Sequence, residues 1–303
     1  MAVFGCARCG EVLTAVVSRV ALPVHVADTH WEELHPPLLE SGCYAVDAGS
    51  VVLAPGDVRG TRLILERAAG YCMGIDGRDG PNLACLGCGE PVATRVDDCG
   101  HWQVVALEAA AVVRLPAPPE RPVLGWAELL AGGALWHRLG EYEDIPAGVA
   151  LAHVVAASGG APVEAAPGPV ARLLGAALGA LLPVGGEGAR RLDLAGPGYG
   201  EPEADLLLVP VHPQTGAAWQ PHTGAVPVPM DASLWAELAF PPHRTRLPAV
   251  GGLPEGVERD DPLPPHTWRP CRPSGEAFRY ALARMPAVRE PWLRALYDRG
   301  RSL

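Results

Sequence analysis

Two five-residue stretches hold the most specific chemistry in this 303-residue chain: CARCG at residues 6 to 10, and CLGCG, which begins 75 residues after the first ends. A two-residue gap lets both thiolates of a tight turn point at one ion, and the glycine that follows, Gly10 or Gly89, supplies the permissive backbone that closes the turn. Two such turns facing each other make a tetrahedral four-thiolate shell, so Cys6, Cys9, Cys85 and Cys88 are the predicted metal ligands and Zn2+ the predicted ion. A closed shell leaves no coordination position for water. The zinc is therefore expected to be structural, and no catalytic residue is assigned to it. The competing reading is two separate redox CxxC motifs, but redox use places one thiol at a helix N-terminus, and neither pair precedes a helical pattern.

Four cysteines remain. Cys43, Cys72 and Cys99, with His101, can be drawn as a second site, although none has paired spacing and single cysteines commonly pack in cores. A local partition, Cys72, Cys85, Cys88 and Cys99, would leave Cys6 and Cys9 without a role, and Cys271 joins neither set.

Other stretches resemble sites less closely. In HVADTHWEELHPP (25 to 37), His30 and His35 are five apart, Trp31 stands where a metalloprotease helix needs glutamate, and Pro36 follows, so a turn is the better reading. DGRDG (76 to 80) has Arg78 and Gly80 where a calcium loop needs oxygen ligands. Ser158 in AASGG lacks a nucleophile elbow, and GPGYG (196 to 200) lacks the spacing and following helix of a dinucleotide fingerprint. The best small-ligand candidate is DLLLVPVHPQTGAAWQPH (205 to 222), where a buried strand ends near His212 and Trp219 and His222 could gather beyond its carboxyl end.

The elements that must position these groups change character along the chain. Val12–Val20, Val51–Ala54, Arg62–Leu65, Val92–Val96 and Trp102–Leu107 read as strands between Gly, Pro and Asp turns. LPAPPERP (115 to 122) breaks any ladder with four prolines and marks the predicted junction. Beyond it, Trp126–Leu139, Val170–Leu182, Ser233–Phe240, Ser274–Met285 and Ala287–Asp298 have helical spacing, while Val149–Ala156, Arg191–Leu194 and Leu206–Val211 read as buried strands. The expected fold is α+β: a mostly-β, zinc-ribbon-like domain over residues 1–115, then a mixed α/β domain over 123–303 with basic C-terminal helices. Ribbons usually separate their cysteine pairs by far fewer residues, so the intervening strands must be an insertion or part of the same sheet.

Composition narrows the function classes. The chain has no lysine, so all 24 of its basic residues are arginine, and it has one asparagine, Asn82. Chemistry that needs a P-loop, Schiff-base or kinase lysine is excluded. The N-terminus reaches its first cysteine pair before any apolar run could form, and no uncharged apolar stretch of about 18 residues occurs. The reading is a cytoplasmic protein with reduced thiols, no membrane partner and, at a net charge of −10, no nucleic-acid partner. Residues 1 to 115 carry 8 arginines against 14 acidic residues (−6), and residues 269 to 303 carry 8 against 3 (+5). The basic tail, with Phe278, Leu282, Trp292 and Leu296 on its apolar faces, is expected to dock on the protein's own acidic body.

The CARCG start and the DGRDGPNLAC, CGxPVATR and DDC segments of the middle resemble a family of actinobacterial, high-GC proteins with zinc-ribbon-like CxxCG knuckles. The resemblance spans the chain; it implies a cytoplasmic bacterial protein and carries no activity with it. Two functional expectations follow from the residues. One is a non-catalytic, zinc-stabilised binding or adaptor protein with a protein partner. The alternative is a hydrolase-type enzyme around His212 and His222, with Asp193 or Asp205 as acid, base or ligand, which requires those four side chains to converge in one pocket.

Overall fold

The structure, a computed structural model, describes residues 1–25, 37–70, 74–119, 122–131, 144–185, 188–241 and 272–299. The protein is α+β with a strand-rich N-terminal region. Among the described residues, nine strands precede the proline-rich junction: β1 (Val3–Cys6), β2 (Ser18–Arg19), β3 (Cys43–Asp47), β4 (Ser50–Leu53), β5 (Thr61–Leu63), β6 (Leu83–Cys85), β7 (Pro91–Val96), β8 (Val104–Leu107) and β9 (Val112–Leu115).

Seven of them form a sheet in the order β2-β3-β4-β8-β7-β6-β5, antiparallel except for the β2–β3 pair, while β1 and β9 form a separate antiparallel ribbon. Leu63, Leu83, Ala93, Leu107 and Val51 are in register across five strands of the sheet. Four of these five join the buried cluster that includes Phe4, Tyr44 and Leu53, in which Phe4 meets Tyr44 edge to face at 5.2 Å. The β3–β4 hairpin turns through Ala48 (φ 48°) and Gly49 (φ 95°), two left-handed residues whose twist matches that of the paired strands. The predicted strand Val12–Val20 is instead a run of short bridges ending in β2, because it crosses from the ribbon to the sheet: Gly5 bridges Val12, Ala2 bridges Val17, and Thr14 bridges Val58.

After the junction come α1 (Trp126–Ala131), α2 (Asp144–Ser158), β10 (Val163–Ala165), α3 (Ala176–Leu181), β11 (Arg190–Leu194), β12 (Leu206–Val211), β13 (Val226–Asp231), α4 (Ala232–Ala239), α5 (Gly275–Arg284) and α6 (Pro291–Arg299). Strands β10 to β13 form a parallel sheet in sequence order. The structure corrects the predicted strand Val149–Ala156, which lies inside helix α2. That helix buries Ile145, Ala147, Ala150, Leu151, Val154 and Val155 around its circumference, so it has no polar face, and without one an apolar valine-rich run reads as a strand. Strand β13 is hidden in the sequence for the opposite reason. Pro227 and Pro229 argue against a central strand, but β13 is an edge strand, where a missing N–H is tolerated.

Asp231 ends β13 and caps α4, its carboxylate accepting from the N–H groups of Ser233 and Leu234 at 2.9 and 3.1 Å. Ser274 caps α5 by accepting from the Ala277 N–H at 3.2 Å. The basic C-terminal helices bring Phe278, Leu282 and Leu296 into the second core, with Trp292 packed against it. An ion pair from α5, Arg284 to Asp47 at 3.6 Å, reaches the N-terminal sheet.

Helices α2 and α5 meet at Gly148, where a Cβ would stand 2.3 Å from the Ser274 carbonyl oxygen and 3.0 Å from the Ala277 methyl. Backbone cannot yield as a flexible side chain can. Gly148→Ala is expected to cost about 1–3 kcal/mol in urea unfolding, through forced separation of the helices. An unchanged midpoint would show that the two helices do not approach this closely in solution.

His25, against Tyr280 at 5.8 Å, and His153 on α2 are both mostly buried, and burial pushes both below the ordinary histidine value of 6.5. Arg284 lowers His25 further, while the Pro23 carbonyl and Asp47 oppose the shift. The unfolded chain then takes up protons before the folded one, so stability is complete above about pH 6.5 and falls as pH drops through and below that value. Urea midpoints at pH 7.5 and 5.0 should show the loss, and His153→Phe should flatten part of it. Equal stability at both pH values would contradict the burial of these rings.

Candidate metal centre

The two knuckles are built alike. In the first, the Cys6 N–H donates to the Glu11 carbonyl at 2.8 Å and the Gly10 N–H to the Cys6 carbonyl at 2.8 Å. In the second, the Cys85 N–H donates to the Glu90 carbonyl at 2.8 Å and the Gly89 N–H to the Cys85 carbonyl at 2.9 Å. The residue after the first cysteine is tied outward in both, Ala7 N–H to the Ala111 carbonyl and Leu86 N–H to the Gly60 carbonyl. Gly10 and Gly89 have φ of 78° and 76°, the left-handed conformation anticipated for the closing glycine. Knuckle one leaves β1, and knuckle two joins β6 to β7, so facing them links the ribbon to the seven-stranded sheet near its β5 end.

All four sulfurs lie within 4.8 Å of one another, with Cys6 to Cys88 at 3.6 Å and Cys9 to Cys85 at 3.5 Å. A metal–sulfur distance of ~2.3 Å gives a tetrahedral edge of ~3.8 Å, whereas a disulfide would need ~2.05 Å. The four thiols are spaced to hold a metal ion. Cys6 and Cys85 are buried against Leu13 and Val92, Cys88 is half-buried, and Cys9 faces solvent.

Thiols this close compete for protons. Burial works to raise Cys6, but the backbone N–H groups of Arg8 and Cys9 and the neighbouring thiols outweigh it and bring its pKa to about 7. At Cys9 the Glu11 N–H favours thiolate, yet burial and hydrogen bonds with Cys85, Cys88 and Cys6 prevail and push it to about 12. Cys88 is also raised, the Glu90 N–H and the Cys9 thiol being overcome by burial and the Cys6 and Cys85 thiols. A divalent cation removes the conflict, because coordination deprotonates the thiols outright. Outside the shell, Arg8 of the first knuckle pairs with Glu90 beyond the second at 3.0 Å. That pair is largely solvent-exposed and so adds little to stability.

No protein-family model matches the chain, and no curated protein is significantly similar to it.

Among the described residues, Cys6, Cys9, Cys85 and Cys88 are the group whose ligand atoms converge. Cys43, Cys99 and His101 join no such group, and Cys72, Cys271, His30 and His35 lie outside the described residues. DGRDG is a turn, with the Arg78 N–H on the Asp76 carboxylate at 3.0 Å and Gly77 and Gly80 at positive φ. Ser158 is buried at the end of α2, where its hydroxyl donates to the Val155 carbonyl at 2.7 Å.

The second candidate set does not converge. His212 is buried and fully engaged: Nε2 lies 2.9 Å from the Leu124 carbonyl, and Nδ1 accepts from the Gln214 and Thr215 N–H groups at 3.2 and 3.3 Å. Its ring packs edge-on against Trp126 at 5.1 Å. Asp193 accepts from its neighbour Leu194 N–H, and Asp205 accepts from Arg191 N–H, so each holds local backbone. His222 projects into solvent with Nδ1 on Glu201, whose carboxylate the histidine holds below its usual pKa, and Trp219 lies edge-on to it at 6.1 Å. Of the four, Asp205 lines the open cleft of about 640 Å³ at the amino ends of β11, β12 and β13, together with Arg190, Glu201 and Glu203. The cleft is thus at the opposite end of the strands from the one the parallel-sheet rule favours.

The anchoring residues Gly60, Ala111 and Glu201 left no mark in the sequence. Nothing local distinguishes them, and their roles come from distant backbone brought alongside.

Proposed function

We propose that this protein is a non-catalytic, zinc-stabilised binding or adaptor protein, with one structural Zn2+ held by Cys6, Cys9, Cys85 and Cys88. The observation that carries the reading is the closed four-sulfur cluster, which fills a tetrahedral shell with protein ligands and leaves no position for substrate or water. When bound, zinc supplies a cross-link and neutralises thiolate charge. The chain's own residues do the rest: β1 and the β6–β7 turn present the thiols, Leu13 and Val92 exclude water beneath them, and Arg8 and Glu90 span the gap.

The partner is a protein, and the supporting surface is apolar: Leu86 at a knuckle tip is 60% exposed and Val12 46%, with Val113 exposed nearby on the ribbon. A net charge of −10 opposes phosphate backbones. No helix among the described residues is long and apolar enough to cross a membrane. Four closely spaced thiols are kept reduced in the cytoplasm, which is the compartment proposed. The dispersal of His212, His222, Asp193 and Asp205 weighs against the hydrolase reading.

Metal analysis of purified protein tests the assignment. One equivalent of zinc is expected, and none in the Cys6→Ser/Cys9→Ser variant. Less than half an equivalent in the parent, or full zinc in the variant, removes the basis of the proposal. A salt-dependent affinity for DNA or RNA tighter than about micromolar would move the protein to another class.

A further inference from the structure

We propose that Cys9 is an oxidation site for hydrogen peroxide, and that Cys85, facing it across the cluster, closes a disulfide that takes over the metal's link between the two knuckles. The inference rests on the metal reading above and adds to it a reaction of the ligands themselves. A closed shell has no open position for a substrate, but a ligand sulfur that faces solvent is itself a nucleophile.

The two knuckles are alike in backbone and unlike in cover. Cys6 and Cys85 are buried, Cys88 is half-buried, and Cys9 is exposed. The residue before each second cysteine accounts for the difference: Arg8 in the first knuckle, Gly87 in the second. The Arg8 guanidinium, tied to Glu90 at 3.0 Å, reaches the second knuckle and stands close enough to Cys88 for that thiolate's charge to act on it. Gly87 offers Cys9 no such cover. A Cβ there would stand 3.2 Å from the Cys9 sulfur, so any side chain at this position would begin in contact with it. Gly87 is not one of the left-handed glycines, so the turn itself does not call for glycine here. What its missing side chain does is leave the Cys9 sulfur open to solvent.

Exposure and thiolate character together decide which cysteine is oxidised first, and coordination supplies the thiolate. The Cys9 sulfur attacks one peroxide oxygen: the S–O bond forms, the O–O bond breaks and hydroxide leaves, so the sulfur loses two electrons and the peroxide gains them. The Cys85 sulfur, 3.5 Å away, then attacks the Cys9 sulfur: the S–S bond forms, the S–O bond breaks and a second hydroxide leaves. Two of the four donors are then spent, and the shell opens. Cys6 and Cys88, 3.6 Å apart, repeat the reaction with a second peroxide. Both short contacts run between the knuckles, so each pair needs to close by only about 1.5 Å to reach the ~2.05 Å of a disulfide. Oxidation thus exchanges a metal cross-link for a covalent one.

Zinc-loaded full-length protein should be treated with hydrogen peroxide beside a weak zinc indicator, with and without dimedone to trap sulfenic acid. About two equivalents of peroxide per chain are expected to release the zinc, with dimedone on Cys9, and dithiothreitol should restore binding. Trypsin cuts after Arg8 and chymotrypsin after Leu86, which separates the cysteines of each knuckle and lets mass spectrometry read the pairing. Cys9–Cys85 is expected as the first disulfide. Hydrogen exchange at residues 1–20 of the oxidised protein should stay closer to the zinc form than to the chelated form. Cys9→His keeps a four-ligand shell of three cysteines and one histidine, and should release zinc about tenfold more slowly. If that variant does not hold zinc, the disulfide map of the parent decides. The inference is overturned if zinc stays bound at about a hundredfold excess of peroxide, if dimedone marks Cys88 or Cys6 in place of Cys9, or if the disulfides form within the knuckles. Any of these results with one equivalent of zinc bound at the start overturns this inference alone, whereas absence of zinc before peroxide is added overturns the metal reading with it.

Discussion

Chelation of the metal is expected to loosen residues 1–20 and 83–96 well before the parallel-sheet half of the chain loses protection. The ion would join β1 to the β6–β7 turn, a link across most of the N-terminal region, and the cluster beneath it is small: Cys6, Leu13, Cys85 and Val92, flanked by Cys88, Ala111 and Val112. Removing the ion deletes the cross-link and leaves four thiols within 4.8 Å whose protonation conflicts. With free zinc at about a thousandfold its Kd, the linkage is worth about 4 kcal/mol, which corresponds to roughly 15–20 °C in melting temperature for a unit of this size. The second core, built on α2, β11, β12, β13, α4 and α5, contains none of the proposed ligands and should keep its protection.

Hydrogen exchange with and without a strong chelator reads this directly. Uniform loss throughout would show one cooperative unit, and unchanged exchange at residues 6 to 20 and 85 to 96 would show that the cysteines share no structural metal. Cys85→Ser should reproduce the chelator's pattern without chelator.

Truncating Trp235 is expected to be the most damaging single change in the second half. The indole is fully buried on α4, its Nε1–H donates to the Ala195 carbonyl at 2.9 Å, and its ring meets Phe240 edge-on at 5.8 Å. Gly196 lies flat against it, leaving a prospective Cβ only 2.3 Å from Cζ2. Trp235→Ala should cost about 3–5 kcal/mol from lost burial and the cavity it leaves. Trp235→Phe should cost less, about 1–3 kcal/mol, mainly by leaving the Ala195 carbonyl without its donor. Urea unfolding of both variants separates the packing and hydrogen-bond contributions. A loss under about 1 kcal/mol for Trp235→Ala would mean that α4 does not close this core.

The metal cluster was legible because its information is local. Two CxxCG turns need only a two-residue gap and a glycine with positive φ, and the structure has Gly10 and Gly89 in that conformation. The buried run Leu206–Val211 was legible too, since a strand covered on both faces is a short continuous apolar run, and Arg191–Leu194 was legible by alternation, with Leu192 and Leu194 buried and Arg191 exposed. Helix α2 was not, because burial all round erases the periodicity that separates helix from strand. Strand β13 was not, because only its place at the sheet edge makes Pro227 and Pro229 acceptable.

The second candidate site failed for a further reason. Residue type made His212, His222, Asp193 and Asp205 eligible for catalysis, but direction and hydrogen-bond partners depend on the backbone each one meets, and His212 meets the Leu124 carbonyl from 88 residues away. Asn82 shows the same limit from the other side. In sequence it is one loop asparagine, and only the folding of its loop beside β7 puts its side chain on the Arg95 backbone N–H and carbonyl. Spacing within a turn determined by itself which thiols could share an ion. The chain's long-range pairing decided everything else about the sites, because it sets which side chains are buried and which partners remain for them.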